Sequence, residues 1–196
     1  ISFFNHASAD DYAFSNYPHH AWEATGSLLA FFRGCLKQLH WSYTSWQGCF
    51  TAVLLGTLDP VAFGDSWYAV VAFLTIGTLI ISNLIFWRTL FAGGLPDRQV
   101  QREQRMLADI AACITSTVMI QLVPRALDMF FWWDGSVNYL PFLPAVLLLS
   151  AALIKMLRGE KTAPWKIVLT GILSFLSMGG NYVTALVNLL IFFIFG

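Results

Sequence analysis

Two adjacent carboxylates, Asp10 and Asp11, are the residues whose types and spacing point most directly to chemistry. One could act as a general base while the other holds the geometry. The pair could instead bind a divalent cation, because such ions prefer oxygen ligands. The structural alternative is that Asp10 caps a helix that begins near Asp11. Taken alone, the pair favours the cap, so its role depends on the elements that position it.

Two further groups could contact a substrate. Arg125 is the best-placed outward cation, although Asp128 follows three residues later and can pair with it on a helix. His20 could contact substrate or titrate near neutral pH, but we favour an ordinary loop histidine.

The Cys and His spacings match no structural zinc site. A Cys35–Cys49 disulfide is conceivable, and we expect free thiols instead.

The composition indicates a membrane protein. Hydrophobic residues make up 57% of the 196 residues and charged residues only 11%. Soluble domains carry about 25% charged residues, so lipid is the solvent that this composition suits. The net charge of zero gives no indication of a nucleic-acid partner.

Apolar stretches predict an all-α, polytopic membrane bundle. A crossing helix needs about 20 mainly apolar residues. We predict spans at about 67–91, 106–128, 138–157 and 165–179, with the start of another at 183–196. The break at Gly179-Gly180-Asn181 separates the last two. The sequence begins without Met and stops inside an apolar run, so we expect it to be truncated at both ends.

Basic residues predict the orientation. Loops rich in Lys and Arg stay cytoplasmic, and eight of the eleven basic residues flank the predicted first and third spans on one side: Arg88, Arg98, Arg102, Arg105, Lys155, Arg158, Lys161 and Lys166. Residues 5–66 then lie outside a cell membrane that the chain crosses several times. Seven of the eleven acidic residues also fall outside: Asp10, Asp11, Glu23, Asp59, Asp65, Asp128 and Asp134.

The outer segment is predicted to contain two interfacial helices. Residues 21–41 have a helical period with an apolar face at Leu28, Leu29, Phe32, Leu36 and Leu39, which suits a helix lying in the membrane surface. Residues 46–58 are apolar but short for a span. The chain therefore divides into an extracytoplasmic loop with the acidic motif, 1–66, and a transmembrane bundle, 67–196. The loop 96–105 is predicted to be a solvated cytoplasmic connection.

Four stretches, taken in order, resemble integral-membrane glycosyltransferases of the GT-C class, including bacterial members of unassigned substrate. Ala9-Asp10-Asp11-Tyr12 matches the acidic motif of the family's outer loop, and residues 44–50 match a W-x-G-R-F stretch, except that Cys49 replaces its arginine. Residues 125–139 match a Y-W-x-x-G-x-x-x-Y pattern. Gly179-Gly180-Asn181-Tyr182 matches a G-x-N-E turn, except that Tyr182 replaces its glutamate.

The resemblance implies a membrane enzyme that moves a sugar from a polyprenyl-phosphate donor to an extracytoplasmic glycan or lipid acceptor. The catalytic candidates are Asp10 and Asp11, of which we prefer Asp11 as the base. The predicted substrate-binding residues are Tyr12, His20, Trp46, Gln47, Arg125, Tyr139 and Asn181. A divalent cation, Mg²⁺ or Mn²⁺, shared by Asp10 and Asp11 is an alternative to Arg125 for neutralising the leaving phosphate. The competing functions are a membrane transporter, suggested by the helix break, and a non-catalytic membrane subunit.

Overall fold

The computed structural model describes residues 2–92, 98–161 and 163–195, which form helices and no strand. Three helical stretches, Asp65–Phe91, Gln99–Leu122 and Trp133–Leu157, are long and apolar enough to cross a membrane. These findings confirm the all-α prediction and support a membrane protein. The predicted fourth span is an apolar helix, Pro164–Met178, that is shorter than the others at 15 residues.

The α-helices are, in chain order, α1 (Asp10–Thr25), α2 (Leu28–Ser45), α3 (Phe50–Thr57), α4 (Val71–Ala92), α5 (Arg98–Leu122), α6 (Ala126–Phe130), α7 (Trp133–Val137), α8 (Phe142–Leu157), α9 (Pro164–Met178) and α10 (Tyr182–Phe195). Short 3₁₀ helices occupy Ser2–Phe4, Pro60–Phe63 and Asp65–Val70. The described residues divide into two compact units. The first contains residues 2–76, 125–141 and 179–181, and the second contains the remainder.

The N-terminal helices of the first unit differ from the prediction. The single helix expected over 21–41 is two helices, because Gly26 adopts a left-handed conformation at φ 61° and ends α1. His20, expected in a loop, lies inside α1, which also contains Pro18. The second expected helix, over 46–58, is the shorter α3.

Helices α1 and α2 pack closely at Gly34. A Cβ atom added there would lie 2.8 Å from the Cα of Pro18 and 2.8 Å from the carbonyl oxygen of Tyr17. Only a residue without a side chain permits this approach. The close crossing brings the polar residues of both helices to one groove, described below.

The buried face of α2 is not its predicted apolar face. Phe31, Gly34, Cys35, Gln38 and Ser42 are buried. The apolar residues with helical spacing remain uncovered: Leu28, Leu29, Phe32 and Leu36 are between 52% and 62% exposed. Such a row of exposed apolar side chains is unusual on a surface that faces water.

Polar contacts tie the helices of the second unit together. Arg88 of α4 donates to both carboxylate oxygens of Asp109 in α5, at 2.6 and 2.9 Å. Arg158 donates to the carbonyls of Thr89 and Leu90 at the end of α4, where helix carbonyls lack partners of their own. In α10, Asn188 donates to Ser177 of α9 at 2.5 Å.

The second predicted span is displaced along the sequence. We expected residues 106–128, whereas α5 begins at Arg98 and ends at Leu122, ahead of Pro124. The polar residues after 98 are good helix formers and extend the helix into the expected loop. Residues 96 and 97 of the predicted loop 96–105, and Gly196 of the predicted element 183–196, lie outside the described residues.

Candidate functional site

A groove between α1 and α2 contains the more exposed of the two adjacent carboxylates. It has a volume of about 700 Å³ and is lined by Asp10, Tyr17, Gln38, Trp41, Ser45 and Trp46, among others. We call it the α1–α2 groove. The tryptophans, Trp41 and Trp46, are 53% and 58% exposed, and the Trp46 ring lies 5.4 Å from that of Phe14. The groove thus combines a carboxylate with broad aromatic surfaces.

Asp10 is the first residue of α1, and its side chain is exposed. The expected cap is wrong, because Ala9 occupies the N-cap position and Asp10 is already helical. No described residue forms a side-chain hydrogen bond with Asp10. Its carboxylate is therefore available to a molecule in the groove.

Asp11, in contrast, is fully buried and serves the fold. Its Oδ2 accepts hydrogen bonds from the backbone N–H of Ser8 at 3.0 Å and from the hydroxyl of Tyr68 at 2.5 Å. Its Oδ1 accepts one from the backbone N–H of Asp134 at 2.9 Å. Three donors of this kind hold the carboxylate in one orientation. Asp11 thereby joins α1 to residues 57 and 123 positions away in the sequence.

Two more buried carboxyl groups, Asp59 and Asp134, lie near Asp11, and we call the three the buried acid cluster. Asp59 is fully buried and Asp134 is 7% exposed. Asp59 Oδ1 accepts a hydrogen bond from the Val61 N–H at 2.9 Å, and the Asp59 side chain also forms a hydrogen bond with Asp11. Burial, followed by repulsion from the Asp11 carboxylate, raises the pKa of Asp59 to about 9.

The raised pKa of Asp59 predicts how stability depends on pH. The folded protein holds this proton up to about pH 9, whereas an ordinary aspartate releases it near 3.8. Stability from this group is therefore fully present below pH 3.8 and is lost as the pH rises toward 9, by up to about 1.4 kcal/mol per pH unit. Thermal unfolding of Asp59→Asn between pH 5 and 9 should show a weaker pH dependence than the wild type. An unchanged slope would contradict the protonated state.

The other predicted substrate-binding residues occupy separate places in the first unit. Trp46 shares the α1–α2 groove with Asp10. Tyr12 and His20 line a second groove of about 470 Å³, together with His19 and Asp65. Gln47 lines neither groove; its backbone N–H donates to the carbonyl of Ser42.

The later motif residues are positioned by local contacts. The exposed Arg125 guanidinium donates to Asp128 at 3.2 Å, as expected from their spacing. Tyr139 is 65% exposed. The Asn181 side chain donates to the carbonyl of Asn138 at 3.0 Å. The structure therefore does not gather all the predicted site residues into one cavity.

Sequence reasoning missed Gln38 and Trp41, which line the groove on α2. Gln38 is only 4% exposed, and no described residue forms a side-chain hydrogen bond with it. Buried polar side chains normally have partners. The available signal was spacing, because Gln38, Trp41 and Ser45 are separated by three and four residues and share one helix face.

A divalent cation shared by Asp10 and Asp11 stays a prediction, and the two carboxylates differ in what they offer such an ion. Both oxygens of the fully buried Asp11 already accept hydrogen bonds, which leaves Asp10 as the one available ligand of the pair. Within the described ranges, no group of three or more His, Cys, Asp or Glu side chains is arranged to hold a metal ion. The three cysteines, all of them described, are free thiols as expected.

Comparisons of the chain with protein-family models, with curated proteins and with solved structures found no match.

Proposed function

We propose that this chain is part of a membrane glycosyltransferase that moves a sugar from a polyprenyl-phosphate donor to an extracytoplasmic glycan or lipid acceptor. The observation that carries the proposal is the unpaired, exposed Asp10 carboxylate in a groove walled by Trp41 and Trp46. Polar groups on aromatic walls suit a hydroxyl-rich ligand that also has apolar faces.

In the proposed reaction, Asp10 is the general base. An acceptor hydroxyl gives its proton to the Asp10 carboxylate as its oxygen bonds to the anomeric carbon of the donor sugar. The bond between that carbon and the phosphate oxygen breaks, and its electron pair leaves with the polyprenyl phosphate. Asp11 is a positioning residue, because its hydrogen bonds fix the first turn of α1, where Asp10 lies.

The exposed apolar face of α2 supports a location at the membrane surface. A lipid-linked donor is met there, and a helix with an uncovered apolar face can lie in the headgroup region. Arg125 is 82% exposed and bonds Asp128 through one guanidinium nitrogen, Nη1. Its remaining N–H groups could contact a donor phosphate.

The proposed topology predicts opposite labelling of two single cysteines. In full-length protein with Cys49 and Cys113 replaced by serine and the buried Cys35 retained, Glu23→Cys should react with a membrane-impermeant maleimide on intact cells. Lys161→Cys should react only after permeabilisation. Both positions are exposed on the protein. A difference in their labelling therefore reports the side of the membrane on which each one lies. The parent without an added cysteine is the control, and labelling of Lys161→Cys on intact cells would contradict the orientation.

The function is tested with the full-length protein expressed in cells, with insertion into the membrane verified. Mass spectrometry of extracytoplasmic glycans should detect an added sugar that depends on this protein. Accumulation or loss of an unmodified solute across the membrane, with unchanged glycans, would favour a transporter. Unchanged glycans without transport would favour a non-catalytic subunit.

A further inference from the structure

We propose that the α1–α2 groove binds an uncharged pyranose ring of the acceptor, with Gln38 as its hydrogen-bonding residue and Trp46 as its stacking surface. The acceptor role rests on the proposed glycosyltransferase function, whereas ring binding rests on the groove itself. The phosphate of the donor would then bind outside this groove.

The charge of the groove argues against a phosphate. Among the described residues that line it, Asp10 is the charged one, and none is Lys, Arg or His. Lys37 does not line the groove, and its ammonium lies 4.2 Å from the centroid of the Tyr17 ring. A phosphate would therefore face the Asp10 carboxylate without a lining cation to offset the repulsion. Neutral hydroxyl groups can donate to the same carboxylate.

The aromatic residues favour a ring with an apolar face. Trp41 and Trp46 each leave more than half of their surface exposed, and Trp46 is supported from one side by Phe14. One face of a pyranose presents C–H groups, which can pack on an indole ring in the way apolar groups pack on aromatic side chains. Both tryptophans lie on the groove rather than scattered over the surface.

The environment of Gln38 points to a specific kind of ligand. The residue is only 4% exposed and lines the groove, and its side chain has no hydrogen-bond partner among the described residues. A carboxamide supplies both donors and an acceptor, which a sugar hydroxyl can satisfy together. The polar atoms of Gln38 are not among the fully buried unpaired ones, so they reach the groove, where a bound ring can replace water as their partner. Gln38 is accordingly the residue that reads the orientation of a hydroxyl.

The test is ligand binding by saturation-transfer NMR, with the full-length protein in phosphatidylcholine nanodiscs. Glycosidic detergents are omitted because they would compete. The probes are methyl glycosides of glucose, mannose and galactose, and farnesyl phosphate. At least one glycoside should bind saturably, and Trp46→Ala and Gln38→Leu should weaken it by about tenfold and about threefold, as expected for a lost stacking surface and a lost neutral hydrogen bond.

Trp67→Ala is the matched control, because Trp67 is 56% exposed and lies outside the groove; its binding should equal that of the wild type. Gln38→Leu replaces an amide that has no partner in the protein with an apolar group of similar volume, so its unfolding temperature should change little. Gln38→Ala provides a second variant that also lacks the amide. The proposal is overturned if no glycoside binds, if binding is unaffected by these substitutions, or if farnesyl phosphate binds and depends on them. Glycoside binding that depends on Gln38, without any sugar transfer, would instead overturn the proposed function alone.

Discussion

Asp10→Asn is expected to lower sugar transfer by about 100-fold or more, since a positioned general base contributes on this scale. The amide cannot accept the proton of the acceptor hydroxyl at neutral pH. The Asp10 side chain is exposed and makes no hydrogen bond with any described residue, so folding and membrane insertion should be unaffected. Initial rates per folded molecule, measured with lipid-linked donor and acceptor in proteoliposomes, give the comparison.

Asp10→Glu is the control for this prediction. It keeps the carboxylate at an exposed position with room for one more methylene, and it should retain more activity than Asp10→Asn. Retention of near wild-type transfer by Asp10→Asn would exclude Asp10 as the base.

Asp11→Asn is expected to destabilise the protein by about 2 kcal/mol or more, because hydrogen bonds to a charged acceptor are each worth about 1.5–3 kcal/mol. An amide has one oxygen, so its NH₂ group must face either the Tyr68 hydroxyl and Ser8 N–H or the Asp134 N–H. The measurement is thermal unfolding in nanodiscs, which should show a lower midpoint.

Asp10→Asn is the matched control for stability, because it makes the same chemical change one residue away at an exposed position. The pair separates two roles: Asp10→Asn should lose activity and keep stability, whereas Asp11→Asn should lose stability and keep more activity per folded molecule. A stable but inactive Asp11→Asn protein would restore Asp11 as the preferred base.

The apolar spans were the part of the fold that the sequence predicted best. Span 67–91 corresponds to Asp65–Phe91 because an uncharged apolar run of that length has few other solutions. The start of α5 was missed because charged and amide residues from Arg98 onward carry no apolar signal, although they favour helix.

The N-terminal helices were harder to predict because tertiary contacts decide them. Pro18 argues against a helix interior, yet α1 continues through it and packs against Gly34 of α2. The sequence predicted which residues of α2 form its apolar face. It could not predict that this face stays exposed, because that depends on how the other elements of the unit pack.

The site was predictable only where its residues are neighbours in the sequence. The Asp10-Asp11 pair drew attention to the region, but the pair divides into an exposed and a buried member. Periodicity cannot show this division, because Asp11 is held by residues as distant as Asp134. Spacing places Gln38 on one helix face with Trp41 and Ser45, but only the structure shows that Gln38 has no partner on α1.

The most direct test of the glycosyltransferase proposal is release of polyprenyl phosphate from a polyprenyl-phosphate-linked sugar by the full-length protein in proteoliposomes. Release should require an acceptor and should yield one glycosylated acceptor for each polyprenyl phosphate. It should nearly disappear in Asp10→Asn while that protein remains folded and inserted. Equal release by wild type and Asp10→Asn, or none above protein-free liposomes with any acceptor, would contradict the proposal.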